Sequence, residues 1–130
     1  LACNCAPSAL ACCPDQEYVQ DKVCSPWTGT VTDTDEDPVT IVVYDNNIGQ
    51  SLSATGYLQY ASGPADISLQ PVDSSGNDIG APIVISPGTT TSFTFRRFAQ
   101  LQVILPASDE GANDGIYSGE LCITVRYPLP

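Results

Sequence analysis

The chain has 130 residues, 42% of them hydrophobic, with fifteen acidic residues against four basic ones and no histidine, for a net charge of -11. That length suits one domain with a sizeable core. No apolar run approaches the roughly 18 residues of a membrane span, and so acidic a surface is a poor match for nucleic acid or anionic membrane.

The first stretch, Leu1 to Pro14, holds four of the six cysteines: Cys3, Cys5, Cys12 and Cys13. It has no periodicity, and its small residues, Pro7 and Pro14 predict a flexible arm over residues 1–16, ahead of a β domain over 17–130. No signal peptide is recognisable, and the two residues before Cys3 argue against a mature lipoprotein, which begins at its cysteine. Vicinal Cys12 and Cys13 are poorly placed to bond each other, because the ring is strained and successive side chains of an extended chain point apart. Two separate partners are expected.

From about Tyr18 the chain reads as short strands between turns, and no segment holds a helical period. The predicted strands are Val23–Thr32, Val39–Tyr44, Leu52–Tyr60, Ile67–Val72, Ile83–Ile85, Ser92–Phe98, Leu101–Leu105 and Ile116–Tyr127. Pro71 marks the fourth as an edge or a bulge. Turns are expected at the acidic run Asp33–Pro38, at Asp45–Gly49, Ser62–Pro64, Asp73–Asp78 and Pro87–Gly88, and at the acidic loop Asp109–Gly115. Eight strands with varied loops predict an all-β, eight-stranded jelly-roll sandwich. An immunoglobulin-like sandwich is the alternative, weakened because Trp27 follows Cys24 by only three residues.

An enzyme is not expected. Without histidine a Ser-His-Asp or Cys-His arrangement is impossible within one chain, and no GxxxxGK[ST] loop is present. The carboxylates sit in loops, where solvated acids are the simpler reading than a glycosidase pair. No cofactor is implied. Cys3, Cys5, Cys12 and Cys13 match zinc knuckles poorly. Asp33, Asp35, Glu36 and Asp37 lack the order of a calcium loop and read better as a charged turn that keeps a sheet edge soluble. Arg96 and Arg97 alternate to opposite faces of one strand, with a structural ion pair as the expectation and an interface contact as the alternative. The aromatic residues Trp27, Tyr44, Tyr57, Phe93, Phe95 and Tyr117 are expected to build the core.

Two readings stand for the remaining cysteines. Cys24 and Cys122, if on adjacent strands, bond within the chain and close a loop of about 98 residues, worth up to roughly 4–5 kcal/mol by chain entropy. Alternatively, Cys12 and Cys13 of one subunit reach Cys24 and Cys122 of others. The stretch from Cys12 to Cys24 spans up to about 40 Å when extended, more than the roughly 34 Å diameter of such a body. An arm rooted at one end of a body makes a head-to-tail link, which yields rings or fibres.

An arm with Cys12-Cys13, then Cys24 just inside the first strand, then Cys122 in the closing strand GELCITVRY resembles the endospore appendage subunits of Bacillus-type bacteria. The resemblance implies jelly-roll subunits that polymerise with identical or closely related subunits into spore-surface fibres, outside the cell and without membrane insertion. Laterally they join by edge-to-edge strand addition. Along the fibre, N-terminal connectors carry Cys12 and Cys13 to Cys24 and Cys122 as acceptors, and Cys3 and Cys5 offer a further bond. Release from a lysing mother cell fits the missing signal peptide. A secreted jelly-roll adhesin or lectin-like module with intrachain disulfides is the alternative.

Overall fold

Short alternating strands rich in valine, threonine and aromatic residues need a partner sheet to cover their apolar face. The computed structural model, which describes residues 18–46 and 52–128, provides one. Its strands are β1 (Tyr18–Val31), β2 (Val39–Asp45), β3 (Leu52–Ser62), β4 (Ile67–Val72), β5 (Ile83–Ile85), β6 (Thr90–Phe98), β7 (Gln100–Leu105) and β8 (Gly115–Pro128). All eight predicted strands are present, and the described residues contain no helix.

The pairing is nested: β1 with β8, β2 with β7, β3 with β6 and β4 with β5, all antiparallel. Additional pairs β3–β8 and β4–β7 close two four-stranded sheets, ordered β1-β8-β3-β6 and β2-β7-β4-β5. This is a hairpin of strand pairs rolled into a sandwich, the jelly roll. The first strand begins at Tyr18, earlier than Val23, because it pairs with β8 along its whole length, from Tyr18↔Pro128 to Val31↔Gly115.

Strict alternation fills the space between the sheets. β7 buries Leu101, Val103 and Leu105 and turns Gln100, Gln102 and Ile104 outward. β8 contributes Tyr117, Leu121, Ile123 and Val125. Gly119 lies between Trp27 on β1 and Tyr60 on β3, and those two rings meet over it at 5.9 Å. A Cβ at Gly119 would run into the Gln59 carbonyl and the Trp27 ring, so this close approach requires glycine.

Three expectations change. Tyr57 is 37% exposed on the outer face, while Tyr60 and Phe98 are fully buried in its stead. β4 lies between β7 and β5 and is no edge strand. Pro71 is tolerated there because β5 pairs only as far as Leu69, and the Pro71 carbonyl accepts from Ile79 N. Arg96 and Arg97 both face solvent, because Arg97 (φ 56°) is the extra residue of a β-bulge that returns Phe98 to the core. Among the described residues neither arginine forms an ion pair.

Among the described residues the sheets leave four open edges, at β1, β6, β2 and β5. β5 offers only three residues, and Pro26 removes a donor from β1.

Candidate functional site

The pairing of the first and last strands builds the site. Ser25 and Leu121 face inward, so Cys24 and Cys122 face outward on one rung of β1–β8. Their Cα atoms are 4.1 Å apart, near the short spacing of a non-hydrogen-bonded antiparallel pair, and the two sulfurs are joined as a disulfide closing 98 residues.

Glu120 lies two residues before Cys122 on the same face, with Oε1 3.3 Å from the Cys122 sulfur. Across β8, Tyr57 opposes Cys122 and donates its hydroxyl to Glu120 Oε1 at 3.4 Å. Cys122 is buried, Glu120 half-buried and Cys24 exposed. An incoming nucleophile therefore meets the Cys24 sulfur first. Attack there would leave the Cys122 sulfur as a thiolate beside a carboxylate, which disfavours it until it is protonated.

Beside this rung, the outer face sinks into a groove of about 400 Å³ between Pro26 and Thr28 on β1 and Gln59 and Ala61 on β3, with Gly119 of β8 in its floor and Glu120 at one side. The missing side chain at Gly119 lets Trp27 line it as well.

Cys3, Cys5, Cys12 and Cys13 lie outside the described residues. Asp35 accepts from Thr32 N at 2.8 Å and from the Thr32 hydroxyl, so its carboxylate serves its own turn. Among the described residues no three carboxylates of the loop Asp33–Asp37 come together as ligands; the group that does meet is Cys24, Glu120 and Cys122, whose sulfurs carry no thiolate charge while bonded to each other. The sequence places Tyr57 among the core aromatics and singles out neither Glu120 nor the groove. Only the β3–β8 register brings Tyr57 to the disulfide, and the spacing of Glu120 to Cys122 was the one available signal.

The family described as endospore appendages matches residues 10–129. Among solved structures, a Bacillus endospore appendage from a family of disulfide-linked pili shares 31% identity, with a TM-score of 0.67 over 95% of this chain and 100% of that one. The VP2 protein of infectious bursal disease virus aligns at 14% identity and TM-score 0.49, over 98% of this chain and 36% of that one. The coat protein of tobacco streak virus aligns at 12% and 0.46, over 91% of each chain. No curated protein matches.

Proposed function

The chain belongs to the endospore appendage family, and from that premise we propose how this structural fibre subunit is joined to its neighbours. The observation that carries the reading is the outward-facing cysteine pair on the seam of the first and last strands, with Cys24 exposed at the end of a groove. Residues 1–16 are the connector. Laid along the outer face of another subunit, a connector brings Cys12 or Cys13 to the Cys24 sulfur. The arm thiolate attacks, the arm–Cys24 bond forms, the Cys24–Cys122 bond breaks, and Cys122 leaves as a thiolate that takes up a proton. A second arm cysteine then bonds Cys122, with two electrons passing to an external disulfide or oxygen.

Sideways, subunits join edge to edge. β2 and β6 are the open edges that are neither too short nor interrupted by proline, and they lie on different sheets. Such a joint uses two different surfaces and so extends into a ring or a helix rather than stopping at a pair. It gains backbone hydrogen bonds without a large apolar patch. Covalent links along the fibre then make its persistence a matter of rates rather than of subunit concentration. The polymer stands on the spore surface, outside the cell, and the subunit performs no catalysis.

Electron microscopy paired with gels run with and without reductant tests this. Fibres that release chains of 13.7 kDa only under reduction are expected. A single monomer band in both conditions, with no fibres, overturns the proposal.

A further inference from the structure

The chain has four basic residues, and the fold brings all of them to one place. Arg126 and Arg96 flank Ser53 on a single rung of β8, β3 and β6, roughly 10 Å apart across two strand spacings. Lys22 stands two rungs on, on the same face and opposite Thr124, and Arg97 sits in the bulge beside Arg96. All four are exposed on the outer face of one sheet, at the end where β1 begins. Among the described residues none has a carboxylate partner. Four acids share that end: Asp21, which follows the alternation of β1 to the face away from Lys22, Asp45 at the end of β2, and Asp73 and Asp78 in the loop after β4, where Asp73 spends its carboxylate on Ser75 N and Asn77 N.

The opposite end carries carboxylates without any cation. Loops 33–37, 63–66 and 106–114 carry four, one and three carboxylates respectively and no cation. They are held together: Ser108 N donates to Asp35 O, Tyr60 to Ala65 O, and Tyr117 to Asn113 O, with the two tyrosine rings stacked at 6.1 Å. From Lys22 to Val31 the ends are about 30 Å apart along β1. That is several screening lengths at physiological salt, so the two poles do not neutralise each other.

We propose that the four-cation patch receives the carboxylate end of a second copy of this chain, head to tail. The pairing deepens the fibre reading and rests on it. Gathering every cation of a chain of net charge -11 at one pole gives each subunit a direction. Head-to-tail approach is attractive, and tail-to-tail approach sets carboxylates against carboxylates. The charges steer encounter and fix polarity before any disulfide forms.

The test starts the full chain from reduced subunits and removes the reductant, with growth followed by light scattering and microscopy at low and high salt. The variant R96E/R126E makes both ends acidic, and D33K/E36K/D37K/D109K/E110K makes the acidic end basic. Each alone is expected to grow at least about tenfold more slowly than the wild type at low salt, with unchanged circular dichroism and melting. An equimolar mixture of the two restores growth as an alternating polymer, and wild-type growth slows as salt rises. Charge variants that fold and grow at the wild-type rate, or a mixture of folded variants that does not recover, overturn the polarity. A variant that does not fold is replaced by R96Q/R126Q, for which a growth rate equal to the wild type is equally fatal. A wild type that forms no fibres at any salt defeats the fibre reading itself.

Discussion

Tyr60 has no exposed surface, and its hydroxyl donates to the Ala65 carbonyl at 2.5 Å. Burial first, and then the neighbouring Tyr117, push its pKa from 10.0 up to about 12, against the lowering effect of the Ala65 bond. Tyr44 and Tyr117 are also raised, chiefly by burial. Below pH 10.0 the phenol is protonated folded or unfolded, and its contribution is fully present. Between 10.0 and about 12 the unfolded chain releases the proton while the fold holds it, so stability falls as pH rises and the contribution is lost above the folded value. Melting temperature should therefore hold level up to about pH 10 and drop through this window. Tyr60→Phe should cost about 1–3 kcal/mol at neutral pH, from the Ala65 carbonyl left unpaired, and show a shallower alkaline fall. A melting temperature that stays level through the window, in the wild type, would refute this account.

Among the elements, β6 (Thr90–Phe98) carries the most weight in the proposed assembly, because among the described residues it pairs only with β3 and leaves its other side open. Adjacent residues of a strand turn their N–H groups to opposite sides. Of Thr91→Pro and Ser92→Pro, one therefore removes a donor from the open side. That variant should keep a folded body, within about 3 kcal/mol of the wild type, and fail to join sideways in micrographs. If both variants form normal fibres, β6 is not the joint. The strands themselves were legible because each has its own pattern: Leu101, Val103 and Leu105 alternate as a half-buried strand must. What the sequence hid depends on contacts between strands. The Arg97 bulge reverses the face of Phe98, and nothing in the run FRRF announces it. Tyr57 and Tyr60 look alike in sequence, yet the β3–β8 register sends one beside a disulfide and the other to the core. Cys24 and Cys122 could be suspected as neighbours on the first and last strands, but their shared rung and the adjacent Glu120 needed the fold.

For the whole molecule, the nested pairing makes the body complete from β1 to β8, with a core that draws on both sheets. Deleting residues 1–14 should thus leave the melting temperature within a few degrees of the wild type while abolishing long fibres. Long fibres from that truncation, seen by electron microscopy, would remove the connector from the scheme. The seam also has a mechanical consequence. A pull on the arm enters the body at Tyr18, and only six rungs, from Tyr18↔Pro128 to Val23↔Ile123, precede the cysteine rung. In the proposed joint, a neighbour's arm bonded at Cys24 or Cys122 would hand its load over at that same rung. Tension then runs from one arm to the next across a short length of β1 and β8, bypassing the residues between Cys24 and Cys122 that form nearly all of the core. A fibre built this way stretches at its tethers, and its barrels ride along unstrained.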